Sequence, residues 1–180
     1  MKKKKRLILI VILTVMTVHL VRHRSFYRRL VRSLLGIQNP VTEVTVVRVV
    51  DGDTVTVSKN GESVNVRLLG IDTPESTNCL YNDCTDEGEA ASRYLQALLK
   101  KGQKLYLEYD EDQKDKYDRE LGYLWLKEDA DQNSYRDFEA YCLNAVILKN
   151  TYCDTLFIWP NYRYRSWLTK IQRQKQYYSC

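Results

Sequence analysis

The sequence predicts an α+β fold: a five-stranded β-barrel with three helices, preceded by an N-terminal hydrophobic segment. Three observations predict it. Five short runs alternate apolar with polar residues or are rich in Val, Leu and Tyr, as half-buried strands are. Three other runs repeat apolar residues at helical spacing. Their order, three strands, one helix, two strands and two helices, fits a small closed barrel of the OB type.

The elements follow in order along the chain. VTEVTVVRVV (41–50) and TVTVS (54–58) alternate along their length. The Asn60-Gly61 dipeptide joins the second of these to SVNVRLLGI (63–71) as a hairpin, because Asn and Gly accept the positive φ of a two-residue turn. Ala91, Tyr94, Leu95 and Leu98 recur at helical spacing within 88–100. KLYLEYD (104–110) and LGYLWL (121–126) supply the fourth and fifth strands. Residues 137–149 read as a second helix ending near Asn150, and 162–176 as a third with Tyr164, Leu168 and Ile171 on one face. No internal repeat or low-complexity linker interrupts the series.

At 180 residues the chain is long enough for one domain with a full core. Its formal net charge of +5 conceals an asymmetry. Ten of the 28 Lys and Arg residues lie in residues 1–42, which carry no acid; that leaves 18 basic against 23 acidic residues, a net of −5, in the rest. A globally basic surface, the usual footprint of nucleic-acid binding, is therefore absent beyond residue 42. Any polyanion bound there must be held by a few placed cations and a metal.

Residues 1–35 read as a basic and hydrophobic signal-anchor and juxtamembrane segment, and 36–180 as the folded domain. Lys2 to Arg6 are basic and Leu7 to Val21 almost wholly apolar, and Arg22, His23 and Arg24 follow. As a helix, Leu7 to Val21 rises about 22 Å, short of a roughly 30 Å hydrocarbon core, a gap that snorkelling Lys and Arg can close. No A-x-A-like cleavage site follows, which favours an uncleaved single-pass anchor, with secretion after signal cleavage as the alternative; the domain is expected outside the cytoplasm. Five basic residues on each side mean that charge bias alone does not set that orientation. Arg22 to Arg32, with Phe26, Tyr27, Leu30 and Leu34 nearby, fit an amphipathic helix on anionic lipid. Among the cysteines, Cys79 and Cys84 lie close enough for a local disulfide or remain two free loop thiols, whereas the helical stretch between Cys142 and Cys153 argues against their pairing. Both histidines fall in the N-terminal segment, which disfavours zinc.

The chemistry concentrates in VVDGDTV (49–55) and VRLLGIDTPE (66–75). Asp51, Asp53 and Asp72 beside tight turns suit a hard divalent cation, which takes oxygen ligands. Arg67 on a neighbouring strand is suited to grip a phosphate oxygen bidentately. Glu75, just beyond the turn that carries Asp72, is placed in sequence to take a proton from water. Each piece alone has a bland reading, since DG and Asp-Thr-Pro are ordinary turn signals and Arg67 suits the wet face of an alternating strand. Metal, phosphate clamp and base together are the parts of a phosphodiesterase.

DGDTV (51–55), RLLGIDTPE (67–75), Glu89-Ala90 opening a helix, and DKYDR (115–119) before LGYLWL resemble the staphylococcal nuclease (thermonuclease) family. The intervals resemble the family's too: 14 residues from Asp53 to Arg67, 8 from there to Glu75 and 44 from Glu75 to Arg119. The resemblance extends more weakly through LNAVILKN (143–150) to the last helix, over roughly residues 42–176. It implies the OB-type barrel and a Ca²⁺-dependent endonuclease that hydrolyses DNA and/or RNA to 3′-phosphate ends. It also implies roles: Asp53 and Asp72 as carboxylate ligands of Ca²⁺, Thr73 as a carbonyl ligand, and Asp51 as a supporting acid. Arg67 and Arg119 are implied to clamp the scissile phosphate, Glu75 to act as the base, and Lys116 and Tyr117 to touch a terminal phosphate. A monomer is expected, with nucleic acid as substrate and the membrane as a second partner through the N-terminal segment.

Two departures from the family pattern stand out. Asp118 occupies a position that is usually glycine, where a left-handed turn is expected, and its charge lies next to Arg119 and competes for it. FIW (157–159) falls where the family carries base-stacking tyrosines, so Phe157 and Trp159 either stack on a base or close the core. The rival functions are a non-catalytic nucleic-acid-binding module of the same fold and a membrane-anchored scaffold. Retention of every acid and arginine favours the enzyme.

Overall fold

The computed structural model describes residues 37–75 and 85–178, with a few isolated positions before residue 37. The expected anchor at Leu7 to Val21, apart from Thr14, Met16 and Thr17, and the Cys79–Cys84 pair lie outside the described residues. No helix among the described residues is long and apolar enough to cross a membrane. Gln38–Cys180 forms one compact unit, distinct from Met1–Ile37.

The domain is a closed barrel of five strands: β1 (Val41–Asp51), β2 (Thr54–Lys59), β3 (Glu62–Leu68), β4 (Lys104–Glu108) and β5 (Glu120–Trp125). Around the barrel the order is β1-β2-β3-β5-β4, antiparallel throughout except for the parallel β3–β5 pair. The long β1 closes it. Its first half pairs with β4 from Val41 to Thr45 and its second with β2 from Thr45 to Asp51. Register shifts at Val46/Arg48 and Val49/Asp51 fall in the half paired with β2, where bulges bend a strand. The alternating residues Val44, Val46, Val55, Val57, Val66, Leu105 and Leu107 turn inward and are buried. Asn60 and Gly61, with φ of 53° and 89°, make the expected hairpin turn between β2 and β3.

Among the described residues of the domain, four helices accompany the barrel: α1 (Asp86–Leu98), α2 (Tyr135–Tyr141), α3 (Leu143–Asn150) and α4 (Arg165–Tyr178). The Thr85 hydroxyl caps α1 by accepting from the Gly88 amide, with Asp86, Glu87 and Glu89 in the first turn favouring the helix dipole. Tyr164, Leu168 and Ile171 are buried as their spacing predicts, though Tyr164 stands just before α4.

One expectation is corrected: the second of three predicted helices is two. Cys142 is extended (ψ 116°) and pairs with Trp125 in an isolated bridge, while the Leu126 amide donates to the Tyr141 carbonyl at 2.8 Å. Asn144, fully buried, accepts from the Leu124 amide and donates to the Leu69 carbonyl at 2.8 Å. The end of β5 thus captures the chain in mid-helix, and apolar periodicity does not register such a backbone contact. The third strand also ends earlier than expected, at Leu68, because the chain turns at Gly70 (φ 79°). Cys142 and Cys153 are both free and buried, as their separation implies.

Glu108, at the end of β4, is a fully buried carboxylate. It accepts from Trp125 Nε1 at 2.8 Å, the Tyr164 hydroxyl at 3.0 Å and Asn39 Nδ2 at 3.0 Å, and pairs with Arg163 Nε at 2.7 Å. These partners join the barrel to the approach of α4. Burial pushes the Glu108 carboxyl up, against the opposing charge of Arg163 and its hydrogen bonds.

Candidate active site

The site assembles where the β1–β2 turn meets the end of β3. β1 stops at Asp51 and β2 starts at Thr54, so Gly52 and Asp53 make the turn. A Cβ on Gly52 would lie 2.7 Å from Thr73 Oγ1 and 2.9 Å from Ala91 Cβ, so only glycine lets the turn seat between these residues. The cross-strand pairing Thr54↔Arg67, with the Leu68 amide donating to the Asp53 carbonyl at 2.9 Å, brings Arg67 alongside Asp53. The turn at Gly70 then folds Ile71 to Thr73 back beneath the same guanidinium, whose Nη1 donates to the Ile71 carbonyl at 3.1 Å.

Two carboxylates therefore converge on one arginine. Arg67 Nη1 lies 2.6 Å from Asp53 Oδ2, and Nη2 lies 2.6 Å from Asp72 Oδ1. Asp53 is buried, and it accepts from the Thr73 amide and hydroxyl, both at 3.1 Å, and from the Thr54 hydroxyl. Burial raises the pKa of its carboxyl, opposed first by the Arg67 charge and then by the Thr73 and Thr54 hydrogen bonds. The Asp72 side chain is 52% exposed and open to a ligand. The donors offered are all oxygen, carboxylates with a backbone carbonyl nearby, without thiolate or imidazole. That chemistry fits Ca²⁺. Among the described residues no three His, Cys, Asp or Glu are grouped to hold a metal ion, so water or substrate oxygens have to complete the coordination of a cation here.

Glu75 is exposed at the edge of this cluster. Its carboxyl hydrogen-bonds to that of Asp51, which is buried and accepts from the Gly52 amide at 2.7 Å. Burial first, then the negative charge of Asp51 and that hydrogen bond, raise the Glu75 pKa above the usual carboxylate value. The start of α1 fixes its backbone. The Thr85 amide donates to the Glu75 carbonyl at 3.2 Å, and a Cβ on Gly88 would lie 2.3 Å from that oxygen.

The second arginine stands across a groove of about 430 Å³ lined by Arg67, Arg119, Lys116, Tyr117, Ile158 and Trp159 among others. Asp115 organises its loop. The Asp115 carboxylate accepts from the Tyr117 and Arg119 amides at 2.9 and 3.0 Å, and its other oxygen accepts from Arg119 Nε at 2.7 Å. Burial works to raise the pKa of this carboxyl, but the hydrogen bonds from the Arg119 side chain and the two amides prevail and hold it below the usual range. Tyr117, exposed, carries the Lys116 ammonium 4.8 Å and the Arg119 guanidinium 5.6 Å from its ring centre.

Two expectations change here. Asp118 does adopt the left-handed turn (φ 62°), but its exposed carboxylate pairs with Lys114 at 2.6 Å and does not reach Arg119. Glu120, the next acid, faces Lys59 and Tyr109 instead. Phe157 is absent from the groove lining: half-buried, it packs against the core with its ring near Gly70 and the Arg165 guanidinium 5.5 Å away. Trp159, 73% exposed, does line the groove, with Leu156 and Ile158 beside it. Strand-like alternation across 156–158 was the available signal that Phe157 faces opposite to its neighbours. Sequence reasoning missed Asp115, although an Asp two residues before one loop amide and four before the arginine is a recognisable acceptor.

Residues 65–176 match the family model described as staphylococcal nuclease homologue. The chain is 34% identical to the thermonuclease of Staphylococcus hyicus over 131 residues, 73% of this chain and 69% of that protein. It is 34% identical to the thermonuclease of Staphylococcus intermedius over 129 residues, 72% of this chain and 68% of the relative. It is also 42% identical to endonuclease YncB of Bacillus subtilis over 91 residues, which span 49% of this chain and 42% of that one.

Proposed function

This chain belongs to the staphylococcal nuclease family and is a nuclease, and from that premise we propose that it is a Ca²⁺-dependent endonuclease cleaving DNA and/or RNA to 3′-phosphate products. The observation that carries the proposal is the convergence of Asp53 and Asp72 on Arg67 at 2.6 Å each, at one end of a groove that Arg119 also lines. Asp53, Asp72 and the Thr73 carbonyl would hold Ca²⁺, which when bound would supply positive charge to a phosphate oxygen and make nearby water more acidic.

The protein's own groups do the rest. Glu75 accepts the proton of the attacking water as its oxygen bonds to phosphorus. The P–O5′ bond breaks in line, the electron pair leaves on O5′, and solvent protonates it. Arg67 and Arg119 donate to the non-bridging oxygens as charge builds on them. Arg119 is presented by Asp115, whose grip on Nε leaves the terminal Nη pair for the phosphate. Lys116 and Tyr117 contact a neighbouring phosphate, and Trp159 offers a face on which an unstacked base can lie.

Because the domain is net acidic, affinity depends on these few cations and falls with salt. We place the protein, as a monomer, at a membrane through residues 7–21, with secretion after cleavage as the alternative; resistance to carbonate extraction supports the anchor, and a soluble product starting near residues 22–36 supports secretion.

The chemistry is tested by incubating a single-stranded oligonucleotide with the purified full chain in Ca²⁺ and in chelator, and identifying the new termini. Fragments that DNA polymerase extends only after phosphatase treatment carry 3′-phosphates, as expected. Directly extendable fragments, or equal cleavage in chelator, contradict the proposal.

A further inference from the structure

Asp72 sits on a short loop whose position is set from outside the barrel. Its amide donates to the Asp154 carbonyl, and the Asp154 amide to the Asp72 carbonyl, both at 2.9 Å. The Leu156 amide extends the contact by donating to the Gly70 carbonyl at 3.2 Å. Segment 154–156 therefore lies against 70–72 like a piece of strand, without being part of the barrel.

Helix α4 holds both segments from behind. Leu168, Gln172 and Lys175 fall on one helical face by their spacing. Leu168 fills the space a side chain at Gly70 would need, its Cδ1 lying 2.4 Å from where a Cβ would be. Gln172 Nε2 donates to Asp154 Oδ1 at 2.8 Å. Lys175 Nζ donates to the Thr151 carbonyl and, at 3.2 Å, to the Cys153 carbonyl. Thr151 ends α3, so the ammonium also complements the negative end of that helix. One face of α4 thus fixes residues 70, 151, 153 and 154 in turn.

We infer that Gln172 and Lys175 are positioning residues for Asp72, so that α4 sets the affinity of the proposed Ca²⁺ site from behind. The inference rests on the metal reading above. Asp72 is an exposed side chain on a loop, and its place as a ligand is only as sharp as the backbone beneath it. A carboxylate whose backbone drifts loses contact time with the ion, and residues that orient ligands typically carry measurable metal affinity. Neither Gln172 nor Lys175 lines the groove, so substrate contacts are not involved.

The test is a calorimetric Ca²⁺ titration of the full chain as wild type, Gln172→Leu, Lys175→Met, Arg173→Ala and Asp72→Asn, with melting temperatures taken in chelator. Gln172→Leu and Lys175→Met should each raise the Ca²⁺ Kd by about three- to tenfold, the size expected for one or two lost hydrogen bonds. At saturating Ca²⁺ their KM for an oligonucleotide should stay within about twofold of wild type, because the groove is untouched. Arg173→Ala, on the exposed side of the helix, should leave the Kd unchanged. Should Lys175→Met fail to fold, Gln172→Leu decides alone. Unchanged Ca²⁺ affinity in the folded variants, with binding abolished in Asp72→Asn, overturns the inference and leaves the metal reading standing. Unchanged affinity in Asp72→Asn overturns both.

Discussion

Replacing Asp115 with Asn tests whether the loop carboxylate presents Arg119. The substitution keeps an oxygen for the Tyr117 and Arg119 amides, which Asp115 accepts at 2.9 and 3.0 Å. It sets an NH₂ group against Arg119 Nε, which now donates to a carboxylate oxygen at 2.7 Å. One charge-assisted hydrogen bond is lost, worth about 1.5–3 kcal/mol. The Arg119 side chain is 34% exposed, so without that bond it gains rotamers that point elsewhere. If the bond serves to hold the guanidinium ready, kcat/KM should fall by about 10- to 100-fold. Arg119→Lys keeps the charge but loses the planar pair of donors, and should cost about 10²–10³. The double variant decides the matter. Were Asp115 to act only through Arg119, adding Asp115→Asn to Arg119→Lys should cost little more than Arg119→Lys alone. The assay is steady-state cleavage of a fluorescent single-stranded oligonucleotide at saturating Ca²⁺. Losses that multiply in the double variant would refute the reasoning, assigning Asp115 a role in loop stability alone.

Other outcomes follow from the same structure. Glu75→Gln removes the base and should lower turnover by about 10² or more while oligonucleotide affinity changes little; equal turnover would remove Glu75 from the mechanism. Asp118→Asn keeps a residue tolerant of positive φ but releases Lys114, so KM should improve by no more than about threefold, and less in high salt; a weaker variant would show that the aspartate assists binding. Arg163→Met strands the buried Glu108 carboxylate and should cost about 3–5 kcal/mol. The pKa of Glu108 is already raised in the fold, so the stability linked to its protonation is present below the unfolded pKa and lost as pH rises through the folded one. The drop in Tm for Arg163→Met should therefore be larger at pH 8 than at pH 4.5, and a drop independent of pH would contradict the assignment.

How far the sequence alone reaches can be judged from particular residues. The five strands, the Asn60-Gly61 turn and the buried face Tyr164, Leu168 and Ile171 were legible because each is set by local alternation, turn chemistry or helical spacing. The break at Cys142 was not, because a bridge to Trp125 and a buried Asn144 hold it, and both are contacts distant in sequence. In the site, the motif named Asp53, Arg67, Asp72 and Glu75, and the fold brings all four to one end of the barrel. What the motif left open is who partners whom. Asp118 is adjacent to Arg119 in sequence, yet the left-handed turn sends its carboxylate to Lys114, and Asp115 reaches back to the arginine instead. Phe157 similarly turns inward and leaves Trp159 to the groove.

The metal assignment is the claim on which the mechanism depends, and Asp53→Ala tests it most directly. Cleavage of a single-stranded oligonucleotide should be measured for the wild type and this variant across a Ca²⁺ titration, with circular dichroism to verify the barrel. The expected result is a folded variant with no Ca²⁺-dependent cleavage at any concentration that saturates the wild type. Undiminished cleavage by the variant at limiting Ca²⁺ would show that Asp53 is not a ligand and that the site works in another way.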